Sequence, residues 1–411
     1  MAHLTRRAFG IAAATSVSAA LARPALAQAA KEKITFAAVT FSEAGRGEKL
    51  RAWVDGFNRS QDRVEVQPIA LPFATFANTI FTQMGGGGGP DLVRFDQIDF
   101  DAAAPAHRIL PLDDLIHAAD YRFTAIDKYM TQGGKRYGVN FESSNYALLY
   151  NPSLLSAPPK GFDGFIAAAK SLTHGGQYGY AFRATMAEGP GFWQDICNFV
   201  YGFGGRWSDG HGKLTLDSPA VIAGIDAYKR VYDSGAIPKG ADAATYRRMF
   251  WEGKLAMEVD NGGVAGIFHQ QAPKLPLAAS PSPFPTPAQG MVLAPLTINA
   301  NTKNKAAAVT FLKWVLQPES QRALQPILGA SNVATIVERS PAELAAQPWL
   351  KVFDGQTPNS IPQLVEGFET KTPQIQQIVL QQTLRVLQSG ASAKSAMAEA
   401  QHQVMSRVLH R

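Results

Sequence analysis

Polar side chains stand at the ends of several apolar, strand-like runs, and their types could do chemistry. Such runs end in Thr40-Phe41-Ser42-Glu43, in Asp96-Gln97 and in Glu142-Ser143-Ser144-Asn145. Two later runs are followed by Arg183 and by Asp260-Asn261. Open α/β sheets bind their ligands outside the carboxyl ends of the strands. Carboxylates, amides and a guanidinium placed there predict hydrogen bonding to a polar ligand.

No recognisable catalytic motif accompanies these residues. The sequence lacks His-Glu-x-x-His, Gly-x-Ser-x-Gly and a dinucleotide-binding glycine fingerprint. The eight histidines are scattered and Cys197 is the single cysteine, so we predict no metal site, no cofactor and no internal disulfide. A hydrolase that uses a carboxylate pair stays open, because such pairs leave no local spacing in a sequence.

The charge of the chain is mild and dispersed. The 411 residues include 39 lysines and arginines and 33 acidic residues, a net charge of +6. Arg6, Arg7 and Arg23 lie in an N-terminal segment that we expect to be removed, which lowers the net charge to +3. Because the basic residues are not clustered, the composition argues against a nucleic-acid partner.

The first 27 residues are typical of an export signal. Arg6-Arg7 precede a short, alanine-rich apolar stretch, and Ala25-Leu26-Ala27 offers the small residues that a signal peptidase requires. The segment Thr5-Arg6-Arg7-Ala8-Phe9 is similar to a twin-arginine signal. We predict cleavage after Ala27, export by the twin-arginine route and a periplasmic mature chain.

Strands and helices alternate in the first part of the mature chain. Apolar residues alternate over 34–38 and 64–68, whereas 50–57 and 73–84 follow helical spacing. A further strand is predicted over 90–95, after five consecutive glycines that end the preceding helix. This order is typical of an α/β lobe with a mainly parallel sheet.

The remainder of the chain repeats this mixture and exceeds what one hydrophobic core accommodates. Strands are predicted over 138–142 and 147–150. Helices are predicted to begin at the caps Asp163, Ser218 and Ser392, and Gly390 is predicted to end the helix before the last one. Six prolines between 273 and 288 predict a rigid, irregular connection, which we interpret as a crossing between two domains.

Six short segments of the mature chain follow one another in a recognisable order. They are Trp53-Val54-Asp55-Gly56-Phe57-Asn58, Gly89-Pro90-Asp91-Leu92-Val93, Leu110-Pro111-Leu112-Asp113-Asp114-Leu115, Tyr137-Gly138-Val139-Asn140-Phe141-Glu142 with Leu149-Tyr150-Asn151, Phe250-Trp251-Glu252-Gly253-Lys254-Leu255-Ala256-Met257, and Lys305 to Gln317. In order and spacing these segments resemble the extracellular solute-binding proteins of the sugar-importer type, family 1, over nearly the whole mature chain.

The resemblance implies an α/β fold of the periplasmic-binding-protein type II class, with two lobes around a hinged ligand cleft. On this basis the first lobe would comprise 31–141 and 273–329, and the second 142–272 and 330–411. The resemblance further implies a monomer that binds a small solute, most simply a sugar, performs no reaction on it and docks on the transmembrane subunits of an ABC permease.

The resemblance also points to particular residues. It implies ligand contacts from Asp96 and Gln97, from a segment with Glu188 and Trp193, from a returning loop with Asn332, and from an aromatic at Phe368. With the residues read from strand ends, the predicted site is Phe41, Asp96, Gln97, Glu142, Asn145, Arg183, Glu188, Trp193, Asn261, Gly262, Asn332 and Phe368.

Structural alternatives stay open for several of these residues. Asp96 could cap a helix, the polar segment around Glu142 and Asn145 could form a hydrogen-bond network at the hinge, and Trp193 and Phe368 could pack in a core. The sequence departs from the family at Gly262-Gly263-Val264, where many relatives have Gly-Pro-Trp and stack the tryptophan on the sugar. Gly262 would instead leave backbone close to the ligand.

The ligand itself has alternatives on the same fold. Asp96, Glu142, Glu188 and Asp260 keep a polyamine open, and Arg183 keeps a glycerol phosphate open. An amino acid is a further alternative. Iron is disfavoured because the sequence has no Tyr-Tyr pair.

Overall fold

A computed structural model describes residues 31–410, so the predicted export signal, residues 1–27, lies outside the described residues. Eleven strands and fourteen α-helices form within 31–410. The strands are β1 Glu32–Ala37, β2 Val64–Ile69, β3 Leu92–Arg94, β4 Thr131–Gln132, β5 Lys135–Arg136, β6 Val139–Tyr150, β7 Tyr178–Ala181, β8 Leu255–Asn261, β9 Ala278–Ser280, β10 Gln289–Ile298 and β11 Ser360–Pro362.

The helices pack on both faces of the strands. They are α1 Gly47–Ser60, α2 Phe73–Gly85, α3 Gln97–Ala103, α4 Gly161–Ser171, α5 Gly189–Gly202, α6 Pro219–Asp233, α7 Ala243–Trp251, α8 Gly262–Gln271, α9 Lys305–Val315, α10 Pro318–Leu324, α11 Pro341–Ala346, α12 Leu350–Gly355, α13 Thr372–Ser389 and α14 Ala393–Gln403. Within residues 31–410, no helix combines the length and apolarity needed to cross a bilayer.

The strands join in the order β2-β1-β3-β10-β6-β8-β7, with β11 beside β10 and β9 beside β6. β1 pairs in parallel with β2 and β3 at one end, and β7 pairs in parallel with β8 at the other. Between these ends, β10 is antiparallel to β3 and to β6, and β6 is antiparallel to β8. The short strand β11 is parallel to β10. Each lobe therefore has parallel strands at its outer end, and the two long strands β6 and β10 join the lobes.

β6 shows how one strand serves both lobes. All twelve of its residues are buried. Near its start Val139 and Phe141 pack in the core of the first lobe, which surrounds α1 and α9. Farther along, Tyr146 and Leu148 enter the core of the second lobe, around α5, α6 and α13. Leu149, on the opposite face, joins a smaller core beneath α7 and α8. Burial on both faces explains the long apolar run of its second half.

The proline-rich stretch 273–288 packs differently from our interpretation of it as a crossing. β9, within this stretch, pairs with the second half of β6, and Phe284 packs among the aromatic rings of the second core. The stretch is thus attached to the second lobe, and the passage between lobes is made by β10, which pairs with both β3 and β6. After α10, Val333 and Ala334 still pack in the first core.

The predicted helix boundaries follow their capping chemistry in most cases. Ser218 Oγ accepts from the Val221 N–H, and Ser392 Oγ accepts from the Ser395 N–H, as expected of serine N-caps. Gly390 closes α13 in the left-handed conformation. Asp163 was wrong as a cap, because α4 begins two residues earlier and places its carboxylate in the first turn.

Candidate functional site

A cavity of about 390 Å³ opens between the two lobes, where the carboxyl ends of β1, β3, β7 and β8 meet. We call it the main cavity. Both lobes and the central strand β6 line it. Its principal lining side chains are Glu43, Arg46, Phe73, Arg94 and Asp96 from the first lobe, Glu142 from β6, and Arg183, Glu188, Arg247, Trp251 and Asn261 from the second lobe.

A second cavity of about 310 Å³, the side cavity, adjoins the main one. Phe73, Asp96 and Val292 line both. The side cavity adds Gln97 and Trp193, so the two spaces form one continuous cleft.

Glu142 joins the first lobe to the floor of the main cavity. Its Oε1 accepts from Arg46 Nη2 at 2.6 Å and from Ser331 Oγ at 2.8 Å, and its Oε2 accepts from Arg94 Nη2 at 3.1 Å. The Glu142 side chain is only 3% exposed. Burial alone would raise the pKa of Glu142, but the charges of Arg46 and Arg94 outweigh burial and hold that pKa below its usual range.

Arg46 and Arg94 each form a second ion pair, which extends the network of Glu142 to further residues that line the main cavity. Arg46 Nη1 also pairs with Glu43 at 2.7 Å, and Arg94 Nη1 pairs with Asp96 at 2.8 Å. A Cβ on Gly263, at the start of α8, would lie 2.9 Å from Arg46 Nη1. Helix α8 of the second lobe therefore packs directly against the arginine of the first lobe, which couples the two lobes at the cavity floor.

Arg183 is fixed by a buried carboxylate behind the cavity. Its Nε and Nη2 donate to the two oxygens of Asp195 at 2.8 and 2.6 Å, and its backbone N–H donates to Asp195 at 2.8 Å. A Cβ on Gly191 would stand 2.4 Å from Arg183 Cδ, so the guanidinium needs a glycine beside it. This bidentate pair sets the position of the guanidinium at the cavity wall.

Arg247 also lines the main cavity and pairs with the buried Asp260. Arg247 Nη2 donates to Asp260 Oδ2 at 2.8 Å, and Asp260 Oδ1 accepts from Asn261 Nδ2 at 2.9 Å. Asn261 Oδ1 in turn accepts from the Gly263 N–H at 3.0 Å and caps α8. These contacts orient the side chain of Asn261 at the edge of the cleft.

Two aromatic rings line the main cavity from opposite lobes. Phe73 opens α2 in the first lobe, and Trp251 ends α7 in the second, and both are partly exposed. Aromatic faces in such positions stack on the apolar faces of a ligand. Among residues 31–410, no group of three or more His, Cys, Asp or Glu side chains is placed to hold a metal ion.

Comparison with known protein families identifies the family of this chain. The model of the bacterial extracellular solute-binding protein family matches residues 41–322, which is most of the chain. The chain belongs to this family. The resemblance read from the six sequence segments is thereby confirmed.

Among curated proteins, this solute-binding chain is similar to a maltotriose-binding protein of Pyrococcus abyssi. The two are 27% identical over 277 residues, which cover 64% of this chain and 59% of the relative. The matched region thus spans less than two thirds of that relative's length.

Solved structures share the fold over almost the whole chain. One is a solute-binding protein of an ABC transporter from Thermotoga lettingae bound with α-D-tagatose, with a TM-score of 0.80, 19% identity and coverage of 91% of this chain and 99% of that one. Another is UgpB from Mycobacterium tuberculosis with glycerophosphocholine, with a TM-score of 0.79, 19% identity and coverage of 92% and 99%. The predicted type II fold with two lobes around a cleft is confirmed.

The structure brings seven of the twelve predicted site residues to the cleft of this solute-binding protein. Five line the main cavity and the other two line the side cavity. They are Asp96, Glu142, Arg183, Glu188 and Asn261, then Gln97 and Trp193. Trp193 does so with a mostly buried ring, which stacks on Trp207 and donates to the Gln363 carbonyl.

The other five residues line neither cavity. Phe41 packs edge-on against Phe36 in the first core, and Phe368 is buried in the second. Asn332 exchanges two backbone hydrogen bonds with Ser143. These side chains serve the packing and the junction of the lobes.

Asn145 and Gly262 also have structural partners. Asn145 Nδ2 donates to the Phe353 carbonyl at 2.8 Å and to Thr357 Oγ1 at 2.9 Å, so this side chain holds α12 and the residues after it against β6. A Cβ on Gly262 would lie 2.5 Å from that of Ala330, so its glycine permits close packing of α8.

Sequence reasoning missed five of the residues that line the main cavity, namely Arg46, Phe73, Arg94, Arg247 and Trp251. Arg46 follows the polar loop after β1, and Arg94 precedes Asp96 by two residues, so their positions carried a usable signal. Phe73 fits the helical apolar stripe predicted over 73–84, and Trp251 belongs to a segment that carries the family resemblance. Neither position gave a sign that its ring lines a cleft.

Glu258 is an unusual buried acid behind the site. It lies on β8, is 1% exposed, and neither carboxylate oxygen has a hydrogen-bond partner among residues 31–410. Burial, and secondarily the charge of Asp260, raise the pKa of Glu258 well above its ordinary value. The folded protein therefore keeps a proton that the unfolded chain loses near pH 4.3, at about the pKa of a free glutamate.

Replacing Glu258 with glutamine is expected to remove a loss of stability that grows with pH. In the natural chain the folded state binds more protons than the unfolded state above about pH 4.3, so the free energy of unfolding falls as the pH rises. Thermal melts at pH 5 and pH 9 should show Glu258→Gln gaining over the natural chain at the higher pH. The exposed control Glu338→Gln should show no such gain, and parallel behaviour of both variants would contradict the assignment.

Proposed function

We propose that this chain is the substrate-binding protein of an ABC importer and that it carries a carbohydrate between its two lobes. The solute occupies the main cavity and the side cavity. Two of the similar proteins are described with sugars, one as a maltotriose-binding protein and one with bound tagatose. Their ligands support the proposal but leave the sugar of this chain to experiment.

The charge balance of the main cavity carries the proposal. Each of its four guanidinium groups already pairs with a carboxylate of the protein. The charged lining consists of Glu43, Asp96, Glu142, Glu188 and Asp242 with Arg46, Arg94, Arg183 and Arg247. Such a lining offers fixed donors and acceptors with little net charge, which suits a neutral solute with many hydroxyl groups.

The two aromatic rings support the same choice. Sugars have apolar C–H faces beside polar edges, and Phe73 and Trp251 present rings from opposite lobes while charged groups surround them. A polyamine would meet four guanidinium groups, and a phosphate would meet five carboxylates. Both alternatives would therefore place ligand charge near groups of the same sign.

Closure of the lobes would signal that solute is bound. Because residues of both lobes line the cavity, a bound solute favours the closed arrangement over the open one. The closed monomer would then dock on the permease and release the solute without reaction. Residues 1–27 would direct the protein to the periplasm by the twin-arginine route.

A thermal-shift screen of mature protein, residues 28–411, tests the proposed solute class. Monosaccharides, disaccharides, oligosaccharides, polyols, glycerol phosphodiesters, polyamines and amino acids would each be added at millimolar concentration. A sugar at 100 times its dissociation constant should stabilise the protein by about 2.7 kcal/mol and be recovered unchanged. A shift confined to polyamines, phosphodiesters or amino acids would refute the carbohydrate assignment, and conversion of the sugar would refute the receptor.

Removing either aromatic ring of the main cavity is expected to weaken sugar binding. Trp251→Ala and Phe73→Ala should each raise the dissociation constant roughly three- to tenfold, since a stacked ring contributes about 0.5–1.5 kcal/mol. Isothermal titration calorimetry would measure this. Trp314→Ala is the matched control, because its partly buried ring packs on Phe57 and Trp53 in the first lobe. Equal affinities in all three variants would speak against stacking at these rings.

A further inference from the structure

A third pocket lies between the lobes beyond the side cavity. We call it the distal pocket, and it measures about 660 Å³, within the size range of ligand sites. Asp101, Lys128 and Tyr129 line it from the first lobe. Arg206 and Glu369 line it from the second. The proposed solute occupies the main and side cavities and leaves the distal pocket unfilled.

The distal pocket and the side cavity meet at Gln97, which lines both. Two stacked indole rings also lie between the side cavity and the distal pocket. Trp193 of the side cavity stacks on Trp207 of the distal pocket at 4.8 Å between ring centroids. Trp193 Nε1 donates to the Gln363 carbonyl at 2.9 Å, which holds the Trp193 ring in place.

The side-chain oxygen of Gln97 accepts no hydrogen bond from the described residues 31–410. Its side-chain Nε2 donates to Asp101 and to the Tyr129 carbonyl, whereas its Oε1 is buried and has no hydrogen-bond partner within residues 31–410. Gln97 is 7% exposed. A buried acceptor without a donor is unfavourable, so this oxygen calls for a donor group from a ligand at the junction of the two spaces.

The other groups of the distal pocket suit a neutral, hydroxylated ring. Lys128 Nζ lies over the Tyr129 ring at 4.9 Å, and the Arg206 guanidinium lies over the Tyr201 ring at 5.3 Å. In the described chain neither cation forms an ion pair with a carboxylate. Both can donate to hydroxyl groups, and Glu369 can accept. A multiply charged ligand of either sign would meet a like charge here.

We infer that the distal pocket binds a second sugar ring, one of whose hydroxyl groups donates to Gln97 Oε1. This inference rests on the proposed function. The ring has two possible sources with the same chemistry. It is either the next unit of an oligosaccharide that passes Gln97 from the side cavity, or a separate sugar molecule bound beside the first.

Calorimetric titration of the mature protein with the sugar class found in the screen tests this inference. The series would comprise the monosaccharide and its di-, tri- and tetrasaccharide, with the natural chain, Tyr129→Ala and Arg206→Ala. Tyr232→Ala is the matched control. Tyr232 lies on helix α6, and it also has a lysine over its ring, with Lys239 Nζ 4.1 Å from the ring centroid. Tyr129 is partly exposed and Arg206 is exposed, so removing either side chain should leave the hydrophobic cores intact.

An oligosaccharide source predicts one bound molecule and an affinity that rises with chain length. Tyr129→Ala and Arg206→Ala should then weaken only the longer sugars, by roughly three- to tenfold, and leave the shortest bound sugar unaffected. A separate molecule predicts two bound monosaccharides, of which the variants weaken one. Either result supports the inference, provided that Tyr232→Ala behaves as the natural chain.

Sugar binding with one bound molecule and equal affinities in all variants, whatever the chain length, would overturn the inference and leave the proposed function standing. Failure of every sugar to bind would overturn both. The two failures are therefore distinguishable in the same series.

Discussion

Replacing Glu142 with alanine is expected to lower the free energy of unfolding by about 3–5 kcal/mol and to weaken binding of the proposed sugar. The carboxylate is the shared partner of Arg46 and Arg94, whose side chains are 3% and 7% exposed. Its loss would leave Glu43 and Asp96 as the remaining ion-pair partners of these two buried guanidinium groups. Denaturant unfolding would measure the loss of stability, and calorimetry the loss of affinity.

An exposed ion pair provides the control for this variant. Arg322 and Glu319 pair at 3.2 Å with side chains 64% and 80% exposed, so Glu319→Ala should leave the unfolding midpoint unchanged. A midpoint in Glu142→Ala equal to that of the natural chain would contradict the stabilising role of Glu142 between Arg46 and Arg94.

The pH dependence of the same network has a defined sign. The pKa of Glu142 is lowered in the folded protein, so its stabilisation is present above the pKa of an unfolded glutamate, about 4.3, and is lost as the pH falls through the folded value. Glu142→Gln should therefore lose less stability than the natural chain on acidification below pH 4.3. Steeper acid sensitivity in the variant would contradict this sign.

Replacing Asp195 with alanine is expected to lower the free energy of unfolding by a similar amount, about 3–5 kcal/mol. Arg183 is 1% exposed, and Asp195 accepts three of its N–H groups. Without Asp195 the guanidinium is a buried charge that loses its bidentate partner. Urea unfolding would show the loss, and Asp163→Ala, which removes an exposed partner of Arg230, should show none.

The double replacement Arg183→Met with Asp195→Leu removes both charges of the ion pair at once, so it tests whether the loss in Asp195→Ala comes from the unpaired charge of Arg183. Because both charges leave together, the double variant should be more stable than Asp195→Ala alone. The double variant would still lose a charged group from the cavity wall, so sugar affinity should not recover with stability. Additive losses in the double variant would mean that the two side chains act independently.

The sequence alone determined the local structure of this protein and its family. The alternation of apolar residues placed β1 and β2, helical spacing placed α1 and α2, and the Ser218 and Ser392 caps placed the starts of α6 and α14. These features depend on residues close in the chain, where periodicity and capping chemistry decide the outcome.

Polar residues at strand ends also gave part of the cleft. Asp96, Arg183 and Asn261 line the main cavity because they stand at or just after the carboxyl ends of β3, β7 and β8. Glu142 reaches the same cavity from within the central strand β6. The same reasoning failed for Phe41 and Asn145, which pack in the first core and against α12. Asn145 lies within β6 and not after its end, and the local sequence does not determine where the Phe41 side chain points in the turn after β1.

Only the tertiary structure decided which charges meet. Glu142 is 96 residues from Arg46 and 48 from Arg94, and their pairing follows from the position of β6 between the lobes. Phe73 and Trp251 lie in α2 and α7, and their sequence surroundings gave no sign of a cleft. They line one cavity only because the two lobes come together there. Contacts between distant segments depend on how whole lobes pack, and that information is not local to any stretch of the chain.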